Sequence, residues 1–108
     1  MADFTFKQGD LEPSLAVSLV GATGFPVDVS AATDVRFRMG NTLTRVELFS
    51  RIVTIEDPVT GQLVYDWQAG DTDVPGVYYG EFVVNWALGR PQTYPESGYL
   101  VIAIEPKL

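Results

Sequence analysis

Two pairs of closely spaced carboxylates, Asp71 with Asp73 and Asp10 with Glu12, are the groups on which hydrolysis could rest in this 108-residue chain. A two-carboxylate hydrolase needs its acids about 5 to 9 Å apart across a cleft, one of them with a raised pKa. Both pairs instead fall in turn sequences, Gly70-Asp-Thr-Asp-Val-Pro75 and Gly9-Asp-Leu-Glu12, where Asp is favoured because it bonds its own backbone. They read as solvated turn residues. A domain this small also rarely encloses a cleft of about 300 Å³ or more. The Asp71-x-Asp73 pair offers calcium two oxygens of the six or more it requires, without the glycine and later glutamate of an EF-hand loop. No phosphate-loop or dinucleotide glycine spacing occurs. With no His and no Cys, serine triads, imidazole shuttles, thiol nucleophiles and thiolate metal sites are excluded. The expectation is no catalytic residue, no metal and no cofactor.

Charge points away from nucleic acid and towards protein. The chain holds 7 basic and 14 acidic residues, a net charge of -7, which would repel a polyanion. That charge is unevenly spread. Residues 36–51 contain Arg36, Arg38, Arg45 and Arg51 against Glu47 alone, net +3, leaving three basic and thirteen acidic residues elsewhere, net -10. Such polarity suits docking onto an acidic neighbour or head to tail onto a copy of itself. Arginine, rather than lysine, at all four positions suits fixed, bidentate pairing at an interface. The N-terminal sequence has no basic region followed by a long apolar stretch, and the run Tyr99 to Ile104 is too short to span a bilayer. Neither a membrane nor a secretory route is expected.

These groups must be positioned by strands, because apolar residues recur with period two and no stretch keeps a helical period for three turns. Phe4 and Phe6 share a face, as do Leu15, Val17 and Leu19, then Val27 and Val29 after a turn at Gly21-Ala-Thr-Gly24. Val35, Phe37 and Met39 alternate with Arg36 and Arg38. Leu63, Tyr65 and Trp67 form another set, Tyr78, Phe82, Val84 and Trp86 the longest, and Leu100, Ile102 and Ile104 the last. Asp57-Pro58 with Gly61, Pro75-Gly76, Gly89-Arg90-Pro91, and Pro95 with Gly98 mark turns. Helix is expected at most as one turn over Ser30 to Asp34. The pattern predicts a single all-β domain over residues 1–108, an antiparallel immunoglobulin-like sandwich of about seven to nine strands. Its core should include Phe37, Tyr65, Trp67, Tyr78, Phe82, Trp86 and Ile102.

One segment breaks phase. Val46 and Leu48 are even, Val53 and Ile55 odd, so a strand there needs a bulge or turn near Phe49, Arg51 and Ile52. Either Phe49 tucks inward or an apolar loop protrudes to dock. Tyr79, with Val77 and Val83, falls on the outer phase of the longest strand. The expected partner interface is therefore Arg36, Arg38, Arg45, Phe49, Arg51, Ile52, Tyr79 and Val83. Aromatics keep a glycan-binding alternative open, through Tyr94, Tyr99 or an exposed Trp in a shallow groove.

Two stretches are familiar together: Thr60-Gly-Gln-Leu-Val-Tyr-Asp-Trp-Gln-Ala-Gly-Asp-Thr-Asp-Val-Pro-Gly-Val-Tyr-Tyr-Gly-Glu-Phe82 and Gly89-Arg-Pro-Gln-Thr-Tyr-Pro-Glu-Ser-Gly-Tyr-Leu100. With Phe6-Lys-Gln-Gly-Asp10, Pro26-Val-Asp-Val-Ser30 and Val35-Arg-Phe-Arg-Met39, they resemble the tailed-bacteriophage family typified by the N-terminal domain of the baseplate upper protein. The resemblance is weakest from Gly40 to Arg51. It implies an immunoglobulin-like domain in a virion, assembled in the bacterial host cytoplasm. It further implies a structural role at the tail or baseplate, in contact with other virion proteins and in multiple symmetric copies. Capsid decoration is the alternative within that reading. Longer relatives carry a receptor-binding segment after this domain, which a sequence ending at Leu108 is expected to lack. Within the same grammar, Pro75-Gly76-Val77-Tyr78 reads as a tyrosine corner, with Gly80 where an immunoglobulin domain has its second cysteine.

Overall fold

The computed structural model describes residues 2–108 and contains nine strands, with no helix among the described residues. They are β1 (Phe4–Lys7), β2 (Leu15–Ser18), β3 (Ala32–Asn41), β4 (Glu47–Ile52), β5 (Thr54–Asp57), β6 (Gln62–Tyr65), β7 (Gly76–Trp86), β8 (Arg90–Tyr94) and β9 (Leu100–Glu105). Six of them build one sheet, in the order β1-β9-β7-β3-β4 with β8 also on β7, and the other three build a sheet ordered β2-β6-β5. This is the immunoglobulin partition: β3, β7 and β9 lie together, facing a sheet made of β2, β5 and β6. The first strand departs from the expected antiparallel scheme, because β1 runs parallel to β9, pairing Phe4 with Ile102 and Phe6 with Ile104.

Alternation decides which side chains fill the space between the sheets. Val35, Phe37 and Met39 of β3 and Phe82 and Val84 of β7 are at most 1% exposed. Phe37 stands at the centre, with ring centroids of Phe82 at 5.1 Å, Tyr65 at 5.0 Å, Phe49 at 5.8 Å and Trp67 at 6.1 Å. Tyr65, Trp67, Tyr78 and Ile102 are buried as expected. Trp86 is a correction: it lies at the end of β7, only partly buried, and its indole N–H donates to Gln92 Oε1 at 3.0 Å.

The phase break at residues 46–55 has two causes. Phe49 pairs with Met39 but Glu47 pairs with Gly40, so Leu48 is an extra residue that bulges β4. Then the chain leaves the larger sheet at Ile52, buries Val53 and enters the smaller sheet at Thr54. No loop protrudes there, and Phe49 tucks inward. Val27 and Val29 form no strand: Val20 bridges Pro26, and Val29 is buried beside the β5–β6 turn, its N–H on the Pro58 carbonyl. β8 has no counterpart in the sequence pattern, because Pro91 and three polar residues give Arg90–Tyr94 no apolar alternation.

The tyrosine corner forms. The Tyr78 hydroxyl donates to the Val74 carbonyl at 2.6 Å while its ring joins the core. Gly80 is needed in the same corner, since a Cβ there would lie 2.8 Å from Ile102 Cδ1 and 3.0 Å from Phe37 Cε1. Tyr78→Phe removes one neutral hydrogen bond and nothing else, so a loss of about 1 kcal/mol is expected. Thermal unfolding of the variant checks it; an unchanged melting temperature would mean that the corner contributes nothing.

Candidate docking face

The residues expected at an interface divide between the two sides of the larger sheet. Arg36, Arg38 and Val83 alternate with the core residues of β3 and β7 and so point outward, and Ile52 lies beside Arg36 in register and is 59% exposed. Arg45 sits in the turn between β3 and β4. Phe49 and Arg51 point the other way and are already engaged inside the molecule.

Arg51 Nη1 donates to Asp71 Oδ1 at 2.6 Å and Oδ2 at 2.8 Å, and to the Tyr65 hydroxyl at 2.7 Å. Its guanidinium carbon lies 4.5 Å from the centre of the Phe49 ring. Asp71 is thus no solvated turn residue. Its side chain is 3% exposed and also accepts from the Tyr65 hydroxyl at 2.6 Å and the Gln68 N–H at 2.8 Å. Burial, followed by the hydrogen bond to Asp71, pushes the Tyr65 phenol well above its ordinary value. The network ties β4 of one sheet to β6 of the other and to the loop before β7, and Arg51 and Asp71 are structural.

Tyr79 is likewise not an exposed ring. It lies on the outer side of β7 yet is 4% exposed, because Arg38 covers it: the guanidinium carbon is 5.5 Å from the ring centre and Nη2 donates to the hydroxyl at 3.2 Å. The ring can lie there only because Gly40 sits opposite, where a Cβ would collide with both Tyr79 Cε2 and the Val46 carbonyl oxygen. Arg38 is further flanked by Glu81, with Nη1 to Oε1 at 3.4 Å. On its other side Glu47 Oε1 lies 3.2 Å from Nε without an aligned hydrogen bond. The Tyr79 hydroxyl, ahead of Glu81 and Glu47, biases Arg38 further towards its charged form.

Arg45 completes the arrangement. The turn that carries it is fixed by Asn41, whose Oδ1 accepts the N–H groups of Leu43 at 2.8 Å and Thr44 at 3.1 Å, and whose carbonyl accepts that of Arg45 at 2.9 Å. Thr42 Oγ1 anchors the turn to the Val77 carbonyl at 3.0 Å. Arg45 adopts φ +62°, the left-handed region, which aims its side chain over Tyr99 with the guanidinium carbon 5.2 Å from the ring centre. Tyr99 meets Tyr79 edge to face at 6.2 Å. Two guanidiniums over two adjoining phenols therefore line a shallow cavity of about 170 Å³, closed by Glu81.

Among the described residues neither Arg36 nor Arg45 has an acidic partner within 4.0 Å, whereas Arg38 and Arg51 do. Exposed apolar side chains flank them, Leu43 at the turn apex (91% exposed), Ile52 and Val77. The chemistry on offer is recognition of carboxylates by pre-oriented arginines over a semi-apolar sheet.

For the glycan alternative, Tyr94 and Trp67 are out of reach at 5% and 4% exposed, which leaves Tyr99 under Arg45 and the partly buried Trp86, whose N–H is held by Gln92. Sequence reasoning identifies Arg36, Arg38 and Arg45 but not that Tyr99 joins them, since the Pro-containing path from Tyr94 to Leu100 hides which face residue 99 takes. No protein-family model matches the chain, and no curated protein matches it significantly.

Proposed function

We propose that the chain is a structural component of a tailed-bacteriophage particle, at the tail or baseplate, that works by static protein–protein contact through the outer face of its larger sheet. The observation that carries the docking claim is Arg45, held in the left-handed region over Tyr99 and beside the exposed Leu43, with no acid within 4.0 Å among the described residues. Arginine and tyrosine on a rigid scaffold are the residue types that dominate interface energetics, and a pre-formed turn adds no ordering cost on binding. Arg36 and Ile52 extend the same face. The particle claim rests on the resemblance of residues 60–82 and 89–100 to the baseplate domain family. Burial of Tyr94 and Trp67 favours a protein partner over a glycan.

Particles assembled in cells that express an epitope-tagged chain test the proposal. The tagged chain should copurify with virions, and labelled imaging should place it at the tail; a label on the head would make it a capsid decoration. Arg36→Glu with Arg45→Glu reverses the two unpaired cations without touching the core. That variant should melt like the parent and be incorporated at least tenfold less. Absence of the parent chain from purified virions would overturn the particle reading. Undiminished incorporation of the charge-reversed chain would overturn the docking face.

A further inference from the structure

The cavity of about 170 Å³ on the outer face is short of acceptors. Arg38, Arg45, Tyr79, Glu81 and Tyr99 line it, and Glu81 is the one acid among them. That acid is already engaged, its Oε1 lying 3.4 Å from Arg38 Nη1. Glu47, the second acid beside Arg38, lies outside the lining. Arg45 brings a guanidinium with no carboxylate within 4.0 Å among the described residues.

The floor of the cavity adds to the deficit. The Tyr79 hydroxyl accepts from Arg38 Nη2 at 3.2 Å, yet among the described residues nothing accepts its own proton, although Tyr79 is 4% exposed. The Arg38 Nε–H, also buried, has no aligned acceptor. Buried donors are ordinarily satisfied, so what fills the cavity has to accept. Water can accept from a phenol but brings no charge to Arg45.

A carboxylate supplies both requirements, since its two oxygens accept several hydrogen bonds and it pairs with a guanidinium fork. Glu81 in the wall limits the charge that fits: a monoanion balances Arg45, whereas a dianion would also be repelled by Glu81. Around the polar floor the surface is apolar. Leu43, two residues before Arg45 in the same turn, is 91% exposed, and Val77, two residues before Tyr79 on the same side of β7, is 51% exposed.

We infer that this cavity is a socket for a single acidic side chain of a partner protein, presented between apolar residues that rest on Leu43 and Val77. Arg45 pairs with the carboxylate, and the Tyr79 hydroxyl donates to it. Tyr99 and the turn at Asn41 hold Arg45 in place beforehand, so little ordering is left for binding to pay. The inference rests on the outer-face docking proposed above and names what that face grips.

A capped pentapeptide with a central glutamate between two leucines, titrated into the full chain, tests it by nuclear magnetic resonance. The Arg45 Nε–H and the Tyr99 ring signals should shift and saturate at millimolar peptide. The otherwise identical glutamine peptide should bind roughly tenfold more weakly. Arg45→Gln, at an exposed turn position, should keep the parent melting temperature and lose the preference for glutamate. Tyr79→Phe removes one hydroxyl and should narrow that preference while leaving the glutamine peptide's affinity as it was. Arg36→Gln, on the same face but outside the cavity, should bind both peptides as the parent does. Equal binding of the two peptides by the parent chain overturns the inference, as does an undiminished preference in Arg45→Gln. If the peptides bind equally while the charge-reversed chain still fails to enter particles, the socket falls and the docking face stands. If the glutamate preference holds while that chain is incorporated normally, the socket stands and the particle docking falls. A tighter response to sialyllactose than to the glutamate peptide would make the occupant an acidic sugar and overturn the stated partner.

Discussion

Asp71→Ala should cost about 3 kcal/mol of stability, a fall of roughly 12 °C in melting temperature at about 4 °C per kcal/mol for a domain of this size. The carboxylate is 3% exposed and receives donors from Arg51, Tyr65 and Gln68. Its removal leaves the Tyr65 hydroxyl, on a side chain in the centre of the core, with only Arg51 beside it. The Arg51 guanidinium, held over Phe49, loses its counter-charge. Arg51 is 39% exposed, and water at that end keeps the loss below the upper range for a fully buried pair. Arg51→Met in the Asp71→Ala background should recover some of the loss, because a charge without a partner is worse than no charge.

The same network sets an alkaline limit. Tyr65 in the folded chain holds its proton above the ordinary phenol value near 10, and burial raises Tyr78 and Tyr94 in the same direction. Above about pH 10 the unfolded chain has released protons that the folded chain retains, so stability falls as pH rises there and is level below it. Denaturant midpoints from pH 8 to 11 report this, and a loss under about 1 kcal/mol for Asp71→Ala would show that the network is effectively solvated.

Gly40→Ala is the second large effect, expected at about 3 kcal/mol, the upper end for overpacking. The added methyl would meet a backbone oxygen and a ring on opposite sides, both far inside van der Waals contact, and neither is the free end of a flexible chain. Relief requires Tyr79 to leave its place under Arg38 or the Asn41–Val46 turn to shift. Either movement disturbs the stage on which Arg38 and Arg45 rest, so under the docking proposal the variant should lose partner contact beyond what its stability loss explains. Urea unfolding gives the first quantity and particle incorporation the second. A variant as stable as the parent would mean that the close approach of Gly40 to Tyr79 is absent in solution.

Legibility follows periodicity. The strands around Phe37, Tyr65, Phe82 and Ile102 can be read because one buried face imposes alternation that few alternatives mimic. β8 cannot, because an edge strand with one buried residue, Tyr94, shows no period. Residues 46–55 reveal that something changes but not what: parity breaks equally for a bulge and for passage between sheets, and this chain has both. Within the docking face, the arginine cluster is visible as charge, yet the division of Arg51 from Arg36 and Arg45 depends on Asp71, twenty residues later. Strand phase puts Tyr79 on the outer side, where it lies, but its burial comes from Arg38 and cannot be read from one strand. The parallel pairing of β1 is invisible for a related reason. Its Phe-x-Phe pattern fits either sheet, and topology alone decides.

That parallel pairing governs how the domain would bear mechanical load. Tension applied between the two ends of the chain pulls β1 and β9 in opposite directions along their shared axis. The four paired positions from Phe4–Ile102 to Lys7–Glu105 would have to slide together and could not open in succession. The ion pairs Lys7–Glu105 and Lys107–Asp10 lie at the far end of the same seam. A peeling geometry breaks bonds in sequence at low force, whereas this one makes them share the strain. Under such tension the clamp keeps the sandwich shut while force passes through it.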